Sequence, residues 1–159
     1  MAEFSGTPAG SGRRVAVIAS RFNEEITRKL VDGAMETLVA RGVAYDRIDL
    51  VWVPGAWELP LAARAAAGTD RYDAIVAVGA VIRGETAHFD YIAGEASRGL
   101  AEVAREFEVP VSFGVLTCDS DEQAEARAGG APGNKGADAA LAALEMADLL
   151  DRLDTDDEG

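Results

Sequence analysis

His88 is the only histidine in the chain, and it follows an apolar run, an arginine and a glycine in the stretch "GAVIRGETAHFDY" at 79–91. Glu85 and Thr86 stand just before it. A helical stripe begins at Phe89, so Thr86 is placed to cap a helix whose first backbone N–H groups stay free. Such a helix start binds phosphate or carboxylate. An imidazole in that first turn meets the positive end of the helix dipole, which favours the neutral form that a general base needs. A bound phosphate would favour the protonated form instead. A lone histidine is more often structural than catalytic. Its place at the end of a strand-like run, beside a capped helix, favours proton transfer next to a bound anion.

Three other stretches carry residue types of the same kind. In "VPGAWELP" (53–60) a Pro-Gly pair turns the chain, Trp57 offers a flat apolar wall, and Glu58 can accept hydrogen bonds from a polyhydroxylated ligand or serve as a first-turn acid. In "SRFN" (20–23), Phe22 can stack on a heteroaromatic ring or plug a sheet edge. The glycine-rich "RAGGAPGNKG" (127–136) holds Arg127 and Lys135, two cations able to clamp a phosphate or simply to solvate a connector. Lys135 is one of only two lysines, the other being Lys29, which makes it less incidental. No Walker sequence and no Gly-x-Gly-x-x-Gly occurs, so neither a nucleotide P-loop nor a dinucleotide site is expected.

The elements that must hold these residues follow from hydrophobic pattern. "VAVIAS" (15–20), "IDLVWV" (48–53), "AIVAVGAVI" (74–82) and "VSFGVLT" (111–117) are short, near-continuous apolar runs, the pattern of strands buried on both faces. Between them, Ile26, Leu30, Ala34 and Leu38 mark a helix over 24–41, with Asn23 as its N-cap and Glu24 and Glu25 in the favourable first turn. Phe89, Ile92, Ala96, Leu100, Val103 and Phe107 mark another over 88–107. Strand and helix in alternation predict an α/β fold, a parallel sheet with right-handed crossovers and helices on both faces. Ligands of such folds sit outside the carboxyl ends of the strands, which points to the loops "SRFN", "PGAWE", "RGETAH" and "CDSDEQ" after the four runs in turn.

The last helix carries two apolar faces. Ala137, Ala140, Leu141, Leu144 and Ala147 suit packing on the sheet, while Met146, Leu149, Leu150 and Leu153 project from the other side and predict a subunit contact. Beyond Leu153 the acidic "DTDDEG" reads as a mobile tail, and residues 1–13 as a segment poorly ordered or draped on a neighbour.

With 159 residues, 48% hydrophobic and 27% charged, the chain suits one globular domain. Its 15 basic against 28 acidic residues give a net charge of −13, which argues against nucleic acid as a partner but not against a locally basic pocket for a small anion. Cys118 is the only cysteine, so an intrachain disulfide and a zinc cluster are both excluded. No apolar stretch approaches a bilayer span and the first residues lack the order of a secretory signal, so no membrane partner and a cytoplasmic location are expected.

Taken together, "ASRFN", "VPGAWELP", "GAVIRGETAHFDY", "FGVLT" and "RAG…GNKG" resemble, in order and spacing, the 6,7-dimethyl-8-ribityllumazine synthase family, from about Val15 to Leu150. The resemblance implies a single-domain, three-layer α/β/α fold of the doubly wound, flavodoxin-like kind with a four-stranded parallel sheet. Residues 14–153 would form this domain, between the flexible segment 1–13 and the tail 154–159. An extra N-terminal strand added to a neighbouring subunit fits the same expectation.

The implied activity is condensation of 5-amino-6-(D-ribitylamino)uracil with 3,4-dihydroxy-2-butanone 4-phosphate, the penultimate step of riboflavin biosynthesis, without metal or organic cofactor. By the resemblance, Phe22 stacks on the pyrimidine with Asn23 alongside. Ala56, Trp57 and Glu58 hold the ribityl chain, and the Ala80, Val81 and Ile82 backbone reads the uracil edge. Glu85 and Thr86 form the phosphate nest, and His88 transfers protons. Phe113, Arg127 and Lys135 come from the adjacent subunit, with Arg127 on the phosphate. The family forms pentamers, some of which close into icosahedral shells. The absence of a long insertion between Arg127 and "GNKG" matches the shell formers, whereas "GGAP" (129–132) lacks a basic residue often found there. Two other roles share this scaffold: a flavin-binding or compartment-forming protein, and an enzyme that dismutates the lumazine to riboflavin. The presence of His88 and Arg127 favours the synthase.

Overall fold

The computed structural model describes residues 1–130 and 133–157. Ala131 and Pro132 of "GGAP" and the last two residues of the acidic tail lie outside the described residues.

Along the chain run β1 (Val15–Ser20), α1 (Glu24–Ala40), β2 (Ile48–Val53), α2 (Leu59–Ala67), β3 (Ala74–Ile82), α3 (His88–Phe107), β4 (Val111–Cys118), α4 (Asp121–Arg127), β5 (Ala128–Gly130), β6 (Gly133–Asn134) and α5 (Lys135–Asp157). β1 to β4 form one parallel sheet in the order β2-β1-β3-β4. Successive side chains of a strand point to opposite faces, and the core divides accordingly. Val15, Val17 and Ala19 of β1 with Val76 and Val78 of β3 meet Leu30, Ala34 and Leu38 of α1 and Ala140 and Leu144 of α5. Ala16, Ile18, Ile75 and Ala77 face the other way, onto Leu59 and Ala63 of α2 and Ala96 and Leu100 of α3. The three-layer α/β/α architecture read from the sequence is therefore the one observed.

Burial on both faces holds for the two central strands but not for the edges. β1 and β3 are closed throughout, apart from half-buried Ile82 at the end of β3, whereas Leu50 of β2 and Phe113 of β4 keep 40% and 44% of their surface exposed. Two short helices have no apolar stripe to mark them in the sequence. α2 carries a proline in its first turn, where no N–H is missed. α4 is capped by Ser120, whose hydroxyl accepts the Gln123 N–H at 3.2 Å. Part of the glycine-rich stretch pairs as an antiparallel ribbon, β5 with β6. Asn134 then caps α5 by accepting the Ala137 N–H at 3.0 Å, and its amide donates to the Lys29 carbonyl at 2.9 Å. Gly136 allows the α1–α5 crossing, since a Cβ there would overlap the Leu30 carbonyl.

α5 does not stop at Leu153 but continues through the acidic residues to Asp157. Its second apolar face is partly occupied by the chain itself. Residues 1–13 form neither helix nor strand. They run beside α5 and then the turn after α1, with Gly6 seated on the Glu145 carbonyl, the Thr7 N–H donating to Asp148 Oδ2 at 2.8 Å, the Gly10 N–H donating to the Arg41 carbonyl at 2.9 Å, and Arg13 2.7 Å from Asp151. Met146 and Leu153 stay exposed beside this strap.

The Thr7 N–H, and after it the Arg152 guanidinium, hold the Asp148 carboxyl below its usual range. A carboxylate lowered by folding gives its full contribution above the ordinary value and loses it as pH falls through the lowered one. Amide exchange at Thr7 should therefore stay protected from neutral pH down to about pH 4 and lose protection below it. Asp148→Ala should remove the protection at every pH.

Candidate functional site

An open cleft of about 840 Å³ lies at the carboxyl ends of β1, β2 and β3, closed on one side by the start of α3. A smaller hollow of about 450 Å³, between Phe4 and Asp151 at the N-terminal strap, holds none of the residues singled out by chemistry.

Three strand exits build the larger cleft. After β1, the Arg21 N–H donates to the Val53 carbonyl at 2.8 Å and the Phe22 N–H to the Pro54 carbonyl at 3.0 Å. These bonds zip the first exit to the second and hold the Phe22 ring 69% exposed at the rim. Asn23 occupies the N-cap position of α1 in the left-handed region, φ 62°, but its side chain does not cap the helix. Its amide instead donates to the Ala80 carbonyl at 2.9 Å, tying the β1 exit to the end of β3. After β2, a 3-10 turn over Ala56–Glu58 presents Trp57, 55% exposed, and Glu58. After β3, Ala80, Val81 and Ile82 form the floor, followed by Gly84, around which no atom stands within 4 Å of an added Cβ.

The helix start differs in detail from the expectation. Ala87, not Thr86, is the N-cap of α3 and makes no side-chain cap; the Thr86 hydroxyl accepts one N–H, that of His88, at 3.3 Å. The Asp90 N–H donates to the Ala87 carbonyl at 3.1 Å, which leaves the Phe89 N–H as the open donor of the first turn among the described residues. His88 is exposed on the cleft wall.

Of the residues named from sequence, Phe22, Ala56, Trp57, Glu58, Ala80, Val81, Ile82, Thr86 and His88 line this cleft. Asn23 stands behind the wall, and exposed Glu85 is in the adjoining loop without lining it. Phe113, Arg127 and Lys135 are not part of it. They are carried by β4, α4 and the start of α5, where Arg127 donates to the Gln123 carbonyl at 3.2 Å and to the Cys118 thiol at 3.9 Å.

Sequence reasoning missed Gly84, Phe89, Tyr91 and Ile92 as lining residues, and took Pro54 and Gly55 only as a turn. Phe89 and Ile92 had been counted toward the helix core, and they also pack there. Tyr91, 71% exposed, was detectable only from its position one turn after His88.

The arrangement suits a flat heteroaromatic ring between Phe22, Trp57 and the β3 floor, hydroxyls on Glu58, and an oxyanion near Thr86 and the α3 start. The His88 imidazole is available for a proton beside that anion. Among the described residues no group of three or more His, Cys, Asp or Glu side chains is disposed to hold a metal ion, and no helix is long and apolar enough to cross a membrane.

Comparison with known proteins covers the stretch of chain that builds the cleft. The family model for 6,7-dimethyl-8-ribityllumazine synthase matches residues 12–151. The chain is 66% identical over 139 residues to the 6,7-dimethyl-8-ribityllumazine synthase of Gemmatimonas aurantiaca, a match covering 87% of this chain and 85% of that protein. It is 56% identical over 135 residues to the proteins of that name from Yersinia pestis and Yersinia pseudotuberculosis, covering 84% of this chain and 86% of each. The chain belongs to the 6,7-dimethyl-8-ribityllumazine synthase family.

Proposed function

We propose that the chain condenses 5-amino-6-(D-ribitylamino)uracil with 3,4-dihydroxy-2-butanone 4-phosphate to give 6,7-dimethyl-8-ribityllumazine, phosphate and water. The observation that carries this reading is the meeting, in one cleft, of exposed aromatic rings, a carboxylate and a histidine beside a helix start. Phe22 stacks on the pyrimidine, Glu58 accepts from the ribityl hydroxyls beside Trp57 and Ala56, and the Ala80–Ile82 backbone reads the uracil edge. Asn23 acts by holding Ala80 in place. The butanone phosphate lies toward Glu85 and Thr86.

In this reading the ring amine attacks the ketone, water leaves, and an imine forms. Loss of the phosphate group follows, and the ribityl-bearing nitrogen closes the second ring with loss of another water. His88 moves protons in these steps. Much of the rate comes from holding two substrates together, with general acid–base catalysis as the smaller share.

Phe113, Arg127 and Lys135 lie outside the chain's own cleft, and they are assigned to the cleft of an adjacent subunit, Arg127 on the phosphate. The open rim of Phe22, Trp57 and Tyr91 supports a neighbour that completes the site. The assembly is a pentamer, and pentamers close into an icosahedral shell in the cytoplasm. Light scattering that finds nothing larger than a pentamer would refute the shell.

The reaction is tested by mixing the protein with both substrates and following lumazine fluorescence and phosphate release against the spontaneous rate. Matched acceleration of both signals is expected; no acceleration from an assembled particle would move the protein to the flavin-binding or compartment class. His88→Ala should lower kcat by about ten- to a hundredfold without abolishing turnover. Arg127→Ala should raise KM for the butanone phosphate by roughly tenfold or more, with KM for the pyrimidine little changed. An unmoved KM for the phosphate substrate would remove Arg127 from that role.

A further inference from the structure

Arg83 stands where β3 ends and the loop carrying Gly84 and Thr86 begins. Every residue from 83 to 88 is exposed, and the only side-chain hydrogen bond within that loop runs from the His88 N–H to Thr86. A segment with so little buried surface has little to hold its shape. Arg83 supplies what the loop lacks. Its backbone N–H donates to the Cys118 carbonyl at 2.8 Å, and its Nε donates to Asp119 Oδ1 at 2.9 Å. Its Nη2 lies 3.7 Å from Asp90 Oδ1, and its guanidinium carbon sits 4.4 Å from the centre of the Phe89 ring.

Phe89 lines the cleft next to His88, and Asp90 lies in the same turn of α3. One side chain therefore spans the loop, from the end of β4 to the first turn of α3. Exposed ion pairs add little to stability, so this convergence contributes little as a brace for the fold as a whole. What the planar guanidinium provides is direction: two carboxylates and a ring face are met at once, in a way that a lysine cannot reproduce.

We propose that Arg83 is a positioning residue, which fixes the 84–87 loop and the His88 imidazole for the phosphate-bearing substrate without touching that substrate. The proposal rests on the reaction given above. Its test combines a readout tied to that reaction with one that is independent of it.

Arg83→Ala, Arg83→Lys, Asp119→Asn and the Arg83→Ala/Asp119→Asn double variant are compared with the unmodified chain. Amide exchange over residues 83–92 is measured, together with KM for each substrate. Arg83→Ala should speed exchange in this segment alone. It should raise KM for the butanone phosphate by about three- to tenfold, while KM for the pyrimidine stays within about twofold. Asp119→Asn should move both readouts the same way by less, the double variant should be no worse than Arg83→Ala, and Arg83→Lys should recover part of the loss.

Unchanged exchange over 83–92 in Arg83→Ala would overturn the proposal, as would an equal rise in both KM values. So would a lower KM for the phosphate substrate in Asp119→Asn, since that would place a freed guanidinium on the phosphate itself. Should the unmodified chain form no lumazine, the proposed reaction fails, while the exchange comparison still decides whether Arg83 anchors the loop.

Discussion

The structure depends on two adjacent parallel strands being closed to water on both faces. From Val15 to Ala19 and from Ala74 to Val78, every side chain is fully buried. Each buried valine or isoleucine contributes on the order of 1.5–3 kcal/mol relative to exposure. Such a pair cannot be joined by a hairpin, because parallel strands need a crossover, and the crossover helices supply the cover that both faces require. Parallel direction also brings every strand exit to one end of the sheet. The cleft is a consequence of this arrangement, with Phe22, Trp57 and His88 each standing just past the end of a different strand. The approach of β1 to β3 near that end is close enough that a Cβ at Gly79 would overlap the Ser20 hydroxyl. Glycine there keeps the floor of the cleft continuous.

The same constraint explains what could be read from the sequence. A strand buried on both faces has no polar alternation to blur its ends, so β1 and β3 begin and end where their apolar runs do. α1 and α3 carry regular stripes and were equally plain. α2 was hidden because "LPLAARAAA" is apolar nearly all round, and α4 because only Ala124 of its seven residues is buried. The edge strands misled for another reason: Leu50 and Phe113 are apolar yet exposed, which hydropathy alone cannot distinguish from core. The strap over α5 rests on backbone contact at Gly6, hydrogen bonds from Thr7 to Asp148 and the Arg13–Asp151 pair, features with no hydrophobic pattern.

The chemical residues divide in the same way. Those at strand exits were visible by type and position together, since an exposed aromatic or lone histidine after an apolar run is conspicuous. Asn23 was placed at the right residue with the wrong partner. A left-handed backbone turns its amide toward Ala80 rather than toward the helix it precedes. Arg127, Phe113 and Lys135 had no basis in pattern for joining His88, and the resemblance alone grouped them. The described chain leaves them on other elements.

Charge sets the remaining condition on the site. A net charge of −13 repels an anionic phosphate at long range. At physiological ionic strength, however, the field of exposed charges decays over about 8 Å, so charges near the cleft outweigh the molecular total. Nearby cationic character comes from the α3 start and from Arg83, and Arg83 is engaged by Asp119 and Asp90. An arginine so engaged offers only a weakened field to an arriving phosphate. The site of a single chain is consequently short of positive charge for a dianionic group, even though its shape is complete enough for a ring. An arginine brought from a second chain would supply that charge and would also cover the exposed rim. Asp119 links the two requirements: it accepts from Arg83, and its own N–H donates to the Gln123 side chain, whose backbone carbonyl receives Arg127. The loop beside a chain's own cleft and the arginine it holds outside that cleft are therefore joined by one short run of hydrogen bonds.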